Sequence, residues 1–434
     1  MLHIGIDDTD SVDGGCTTWL ATEIIRELSE FDLIGYPRLV RLNPNVPWKT
    51  RGNGAVSFTF GKGLGSKKKI GEFQGLDIFS FDKGVEKKYA PKSILERVKK
   101  LIIDISHPDS EPGIVISDVL LPEGLYWQGV TSIISEDILN DAIVGVTKFG
   151  IRGSRGIFGA ACSLAWSGNS NNGRNISHTW ELIGYREEKN WGTNRKISSV
   201  SVQKVSDKEG VFSCVDLDGK IAMVPNSPCP VLWGFRGTKP SILIKNFAYL
   251  GPEKPIRWIL YKTNQGTDDH LRCKEIPDFI EGDSIWLEAS VSSKPVIFEG
   301  GHRFFSVKDN LGRTVKCAAF EPTKDFRHVI DKLEVKDSLI ICGSFKKGTI
   351  NLEKIKLEAL VPRYKKPSNP LCECGKRTHS SGKNSYYRCK ECGKRYERPE
   401  MVKIKSGLKL EWYEPPASSR RHLSTPVSLM PKYE

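Results

Sequence analysis

The stretch IGIDDTDSVDGGCTTW, positions 4–19, sets Asp7, Asp8 and Asp10 directly behind a short apolar run and follows them with Gly14, Gly15, Thr17 and Thr18. Carboxylates at the C-terminal end of a strand face the mouth of an α/β sheet, where ligands bind. Mg2+ takes oxygen ligands, typically one or two carboxylates together with phosphates and water. Thr17 and Thr18 fall at a predicted helix N-terminus, where free N–H groups and the helix dipole favour anions. A hydroxyl there accepts or steers a phosphoryl group. The plain alternative is a solvated acidic turn with Thr or Asp capping the helix, but three aspartates in four residues exceed what capping needs.

Two further stretches carry candidate groups. LNPNVPWKTRGNGAV, positions 42–56, combines Lys49 and Arg51 with the tight turn Gly52-Asn53-Gly54. Cations beside exposed backbone N–H groups suit phosphates; a structural turn before a strand is nearly as good a reading. In YKTNQGTDDHL, positions 261–271, the paired carboxylates Asp268 and Asp269 suit a cation, a metal or a guanidinium, against an ordinary polar loop. Arg152 and Arg236 occupy matching G-x-R-G turns and suit either a phosphate or an ion pair at a helix end.

The most specific local signal is Cys372-x-Cys374, then Cys389-x-x-Cys392, each pair followed by glycine. Four thiolates at this spacing suit a closed tetrahedral zinc site. The other seven cysteines are scattered, which predicts reduced thiols and no disulfide framework. Tyr386, Tyr387, Lys390, Lys394 and Arg395 surround the zinc knuckles with groups that stack on bases and contact phosphate.

The chain has 434 residues, enough for two to four domains, and 65 basic against 52 acidic side chains. From residue 361 onward there are 17 Lys/Arg and 7 Asp/Glu, so 17 − 7 = +10 of the +13 net charge lies in the last sixth of the chain. Concentrated basic charge suits a polyanion, most often nucleic acid. No apolar run is long enough to span a membrane, and Asp7 comes too early for a signal peptide. A soluble, cytoplasmic protein with no membrane partner is expected.

Hydrophobic periodicity predicts multidomain α/β and α+β architecture. Residues 1–140 read as α/β: a strand at 3–6, a helix at 17–30, strands near 38–42 and 55–60, a Gly/Lys loop at 62–69, a helix at 93–105, a strand at 113–116 and a third helix around 126–139. Residues 141–272 hold an echo. FGIRGSRGIFGAACSLAW followed by HTWELIGYR matches WGFRGTKPSILIKNFAYL followed by RWILYKT. Two β-α-β halves of this kind predict a ferredoxin-like sandwich. Residues 273–362 read as five strands with a helix between the third and fourth, the order of an OB-fold barrel. A ribbon at 363–400 and a basic tail at 401–434 follow.

Taken in order, HIGIDDTDS, NPNVPWKTRGNGA, FGIRGSRG, YKTNQGTDDHL, the barrel stretch, the cysteine ribbon and RRHLSTP resemble the archaeal tRNA(isoleucine) 2-agmatinylcytidine synthetases, or agmatidine synthases, over essentially the whole chain. The resemblance implies that 1–140 is a kinase-like domain. It implies an ATP-dependent ligase that phosphorylates the C2 carbonyl oxygen of the wobble cytidine of isoleucine tRNA with a CAU anticodon. Agmatine then displaces the phosphate, and the anticodon reads AUA. It further implies Asp7, Asp8 and Asp10 as Mg2+ ligands and Thr18, or its neighbour Thr17, as a phosphorylated threonine. Asp268 or Asp269 would receive the agmatine guanidinium, and Arg420 and Arg421 would grip the tRNA body at a distance. Two other functions fit parts of the chain: a non-catalytic tRNA or single-strand binder built on the barrel and ribbon, and a metal-dependent phosphohydrolase or nuclease. A lysidine-type synthetase using lysine would normally carry a nucleotide-binding loop absent here.

Overall fold

Strand β1 (Leu2–Asp7) alternates Leu2, Ile4 and Ile6, all essentially buried, with His3 and Gly5, and ends on the first aspartate. It lies between two antiparallel neighbours, and the helices packed on either side of the sheet bury both of its faces. The computed structural model describes residues 1–50, 52–169, 173, 176–216, 218–382, 385–397 and 400–430. After β1 come α1 (Thr17–Glu27), β2 (Asp32–Ile34), β3 (Arg38–Arg41), β4 (Gly54–Phe73), β5 (Leu76–Val85), α2 (Pro91–Ile105) and β6 (Gly113–Ser117). Then follow α3 (Glu123–Thr131), α4 (Glu136–Ala142), β7 (Thr147–Gly150), α5 (Arg155–Ala165), β8 (Thr179–Tyr185), α6 (Ser199–Ser206), β9 (Val211–Phe212), β10 (Val231–Gly237), α7 (Pro240–Asn246) and β11 (Arg257–Thr263).

All these strands join one sheet, ordered β7-β6-β1-β4-β3-β11-β8-β10-β9, with β2 and β5 attached to β4. Ile4, Ile6, Ile114 and Ile116 pack with α1 and α2 in one core cluster. Val40, Ala55 and Val115 pack with α3 and α5 in another. Helix α5 sits directly on the sheet because Gly113 leaves room: a Cβ there would lie 2.0 Å from the carbonyl carbon of Gly156.

Three expectations are corrected. The Gly/Lys stretch 62–69 is not a loop but the outer half of the long strand β4, paired with β5. Its lysines are exposed, and LDIFSF on β5 supplies the alternation that the lysine run lacks. The single helix around 126–139 is two, α3 and α4, separated by a break at which Ser135 caps α4. The echo does not form two matched halves. Strand β7 pairs with β6 at the far edge of the sheet, whereas β10 pairs with β8.

The barrel begins with the short β12 (Arg272–Cys273) beside β13 (Ser284–Ile297), followed by β14 (Arg303–Lys308), β15 (Thr314–Ala319), α8 (Phe326–Ile330), β16 (Ser338–Lys346) and β17 (Thr349–Ala359). The order β13-β14-β15-β17-β16 closes through β13–β16 pairing, with the helix between the third and fourth barrel strands as expected. Barrel and sheet meet through buried charge. Lys354 on β17 donates to both Asp268 oxygens at 2.8 and 2.6 Å. Its neighbour Glu353 bonds His270 at 2.8 Å and accepts from the Ser344 hydroxyl at 2.9 Å.

This contact sets a pH limit. Burial opposes the charged form of Glu353, but His270, Arg421 and the Ser344 hydroxyl overcome it and bring its pKa down to about 2. The contribution is therefore complete above the ordinary carboxyl value and is lost as pH falls from about 4.5 to about 2. Denaturant titrations across that window should show a steep loss of stability in the native chain and a flatter one in Glu353→Gln. Equal slopes would mean that Glu353 contributes nothing to the interface.

Candidate active site

A cavity of ≈ 410 Å3 opens where β1 ends, walled by the start of α1, the turn at 52–54, β3, β8, β10 and α5. This is an ordinary size for a nucleotide-scale ligand. It gathers Asp7, Asp8, Asp10, Thr17, Thr18, Lys49, Gly52, Asn53, Gly54 and Arg236, drawn from segments far apart in the chain.

Asp7 is the deepest of the acids. Its carboxylate lies against α5, and burial, reinforced by the charge of Asp8, pushes its pKa up to about 8. Asp8 is also raised by burial, while Arg155 opposes the rise. Asp8 adopts a left-handed backbone, φ 54°, a conformation that costs energy and concentrates at functional sites. No aspartate occupies the N-cap of α1: that position is Cys16, which makes no side-chain capping bond. The Thr17 hydroxyl accepts from Thr9 at 3.0 Å, and that of Thr18 lies 3.1 Å from the Cys16 sulfur.

The opposite wall is cationic. Arg236 donates through Nε to Glu181 at 3.0 Å, and Arg41 approaches the same carboxylate at 3.8 Å. Glu181 thus holds two guanidinium groups at the cavity. Lys49 donates to the Pro44 carbonyl, and burial followed by the neighbouring Arg421 lowers its pKa to about 8. Arg155, in the first turn of α5, pairs with Glu111 and faces Asp8.

Several expected residues stand elsewhere. Gly14 and Gly15 shape the turn behind Asp10, where Ser11 N–H donates to the Gly14 carbonyl, and do not line the cavity. Arg152 is spent on the 106–110 loop, donating to the Ser110 carbonyl at 2.9 Å and the Ser106 hydroxyl at 2.7 Å; Arg155, three residues on, is the cavity residue. Asp268 and Asp269 are buried outside the cavity wall, one held by Lys354 and the other accepting from the Tyr126 hydroxyl. Arg420 and Arg421 do not stand at a distance: they line an adjoining cavity of ≈ 510 Å3 that shares Arg41, Lys49, Gly52 and His422 with the first. Arg51 lies outside the described residues. Sequence reasoning missed Arg41, Trp48, Arg155, Glu181 and His422. Trp48, Arg155, Glu181 and His422 stood inside quoted stretches with no feature marking them, and Arg41 faces the cavity only through the sheet.

The cysteine ribbon is built separately, around β18 (Arg363–Lys365), β19 (His379–Ser380), β20 (Tyr387–Arg388), β21 (Arg395–Tyr396) and β22 (Val402–Ile404). The ligand atoms of Cys372, Cys374, Cys389 and Cys392 all lie within 4.8 Å of one another. Among the described residues this is the one group of three or more ligand side chains so arranged. It fits zinc, whose four thiolate bonds need convergence of this kind. Lys394 pairs with Glu373, Arg395 stacks 4.5 Å from the Tyr386 ring centroid, and Lys390 is exposed.

Family models for the TiaS TCKD domain, the TiaS FLD domain and the TiaS C-terminal zinc ribbon domain match residues 3–152, 154–270 and 369–407. The isoleucine-tRNA 2-agmatinylcytidine synthetase TiaS of Methanosarcina mazei is 36% identical, covering 98% of this chain and 96% of its own length. That of Methanocaldococcus jannaschii is 35% identical, covering 99% of each. The crystal structure of a complex of TiaS with isoleucine tRNA and ATP superposes with a TM-score of 0.82 at 32% identity, over 99% of this chain and 98% of that one. A complex of TiaS with isoleucine tRNA, AMPCPP and agmatine superposes with a TM-score of 0.78 at 30% identity, over 99% and 97%.

With an acid-and-cation cavity built into a shared sheet, a closed barrel and a four-thiol ribbon, these full-length matches make the chain a multidomain enzyme of the tRNA-modifying synthetase class. Within that class, the chain belongs to the isoleucine-tRNA 2-agmatinylcytidine synthetase family, TiaS.

Among the described residues, the ribbon supplies none to the cavity wall. Replacing Cys389 with serine should therefore abolish stoichiometric zinc, measured by metal analysis, and expose the ribbon to protease. The sheet and barrel should melt as before. Retained zinc would sink the four-thiol assignment.

Proposed function

We propose that this chain phosphorylates the C2 carbonyl oxygen of the wobble cytidine of isoleucine tRNA (CAU anticodon) with ATP as donor, and replaces it with agmatine. The observation that carries the reading is the meeting, in one cavity, of three aspartates, two threonine hydroxyls and a wall of cations around a glycine turn. Family membership supports it throughout.

A carbonyl oxygen is a very poor leaving group, and phosphorylation makes its displacement by an amine feasible. Phosphoryl transfer asks of a protein mainly alignment and charge neutralisation. Lys49, Arg41, Arg236 and the Gly52–Gly54 turn would bind and orient phosphates, and Arg51 is kept with them from its place in the sequence. Thr18, with Thr17 beside it, would present a hydroxyl at the head of α1. Mg2+ fits the acidic end, because burial and the neighbouring Asp8 charge leave the Asp7 carboxylate in need of a positive partner, which a divalent cation would supply. Asp7, Asp8 and Asp10 would hold it, and it would supply charge neutralisation to the phosphates when bound. Asp268 and Asp269 lie outside the cavity wall, and an agmatine guanidinium entering it would compete with Arg236 and Arg41 for the buried carboxylate of Glu181.

The anticodon base must leave its stack to enter such a cavity. The adjoining cavity lined by Arg420 and Arg421 offers a path for its flanking phosphates, and Lys390, Lys394 and Arg395 offer contacts to the tRNA body. In this reading 1–140 is the kinase-like unit, 141–272 the ferredoxin-like unit, 273–362 the OB-fold, 363–400 the ribbon and 401–434 the tail.

The test is mass spectrometry of nucleosides from isoleucine tRNA after incubation with the protein, ATP, Mg2+ and agmatine, with lysine in a parallel reaction. The expected product is a wobble nucleoside heavier by agmatine minus water, in the agmatine reaction alone. Intact, unmodified tRNA that still binds would leave a binding module, and cleaved RNA would point to a nuclease.

A further inference from the structure

The loop 264–270, whose carboxylates lie outside the cavity wall, seats the C-terminal tail. Gly266 N–H donates to the His422 carbonyl at 2.9 Å, and Asp268 N–H to the Leu423 carbonyl at 2.8 Å. In return Thr425 N–H donates to Asp268 Oδ1 at 2.8 Å, and its hydroxyl to the Gly266 carbonyl at 2.7 Å. Lys354, already paired with Asp268, donates to the Thr425 carbonyl at 3.0 Å. Leu423, Ser424 and Thr425 are buried, and Leu423 joins the core cluster that contains Tyr126 and Trp166. This anchorage fixes the residue just before it, His422, whose side chain is open to the cavity. Its ring edge lies against the phosphate-side turn: a Cβ on Gly52 would sit 3.1 Å from its Nε2.

Four cations face that ring: Arg41 from β3, Arg236 from β10, Lys49 from the 42–54 loop and Arg421 beside it. Desolvation within the cavity first, and these charges next, push its pKa down and favour the neutral imidazole. A neutral imidazole offers one lone-pair nitrogen. Among these four donors it is the acceptor. Phosphates have no N–H to give it. The acceptor-side substrates do: the primary amine of agmatine and the 4-amino group of cytosine.

We propose that His422 is a substrate-contacting residue of the reaction proposed above, accepting a hydrogen bond from an N–H group of agmatine or of the flipped cytosine, and that Asp268 is its positioning residue. The inference rests on that reading of the reaction. His422→Phe keeps the ring and removes the acceptor. His422→Gln restores one. The pair Asp268→Leu with Lys354→Met removes the seat without leaving a buried charge alone.

Steady-state modification by the full-length protein is measured with agmatine, tRNA and ATP varied in turn, melting temperature being recorded for every variant. His422→Phe should lower kcat/KM at least about tenfold, the cost of one hydrogen bond, for agmatine or for tRNA. The KM for ATP should stay within about twofold, and His422→Gln should recover most of the loss. The double variant should reproduce the phenylalanine phenotype. A loss confined to agmatine identifies the amine as donor, one confined to tRNA identifies the base, and a loss in both places the contact in the transition state. Unchanged ratios for both substrates, or a change confined to ATP, would overturn the proposal while native turnover leaves the reaction itself standing. Should the double variant not fold, the phenylalanine and glutamine chains decide alone.

Discussion

An Asp8→Asn chain is expected to transfer agmatine at least ~10³-fold more slowly than the native one, with its melting temperature within about 2 °C. Asparagine is the informative choice because Asp8 has φ 54°, a region that Asn tolerates and that strains alanine by about 1 kcal/mol. Asp8→Ala would mix lost charge with backbone strain. Asp8→Asn removes charge alone, from a carboxylate whose pKa burial has raised and which faces Arg155. Charge at such a site is expressed in the transition state, so kcat should carry the loss, read by single-turnover assay with saturating ATP and tRNA. A rate within about tenfold of native would mean that Asp8 only shapes the turn.

Gly159→Ala is expected to cost about 10²-fold in kcat/KM through its contact with Asp7. An alanine Cβ there would lie 1.7 Å from Asp7 Oδ2. Retreat of the helix would open the backbone-to-backbone packing of Gly113 against Gly156. The cheaper response is for the Asp7 side chain to swing, and displacements on this scale at a reacting centre are expensive. Gly124→Ala on α3, where a Cβ meets nothing within 4 Å, is the matched control and should retain native activity. Equal activity in both variants would show that Asp7 is not held to its position.

The acidic end of the site was legible because its chemistry is local. Asp7, Asp8, Asp10, Thr17 and Thr18 are neighbours in sequence, and a strand followed by a helix suffices to bring them together. The four cysteines were legible for the same reason. The cationic wall was legible only in part: Lys49 and Arg236 were marked by their stretches, whereas Arg41 and Arg155 were not. Arg41 and Glu181 meet because β11 lies between β3 and β8, a strand order no periodicity reveals. Arg152 and Arg155 share one motif, and only the first turn of α5 decides which faces Asp8. Asp268 looked like a ligand because its buried partner, Lys354, lies on the barrel, 86 residues away. The Gly/Lys run of β4 looked like a loop because its pairing partner, and not its own composition, makes it a strand.

Strand β11 hydrogen-bonds to β3 and β4 on one side and to β8 on the other. The acidic end of the cavity hangs from β1, which reaches the same sheet through β4, and the Glu181–Arg236 end hangs from β8 and β10. A cleft between hinged lobes can gape and close around ligands of different reach. Here the two ends are fixed to a single stiff leaf of main chain, so their spacing is a length standard. Molecules are then sorted as a caliper sorts them, by how far apart their charged ends lie, before any side chain has to discriminate.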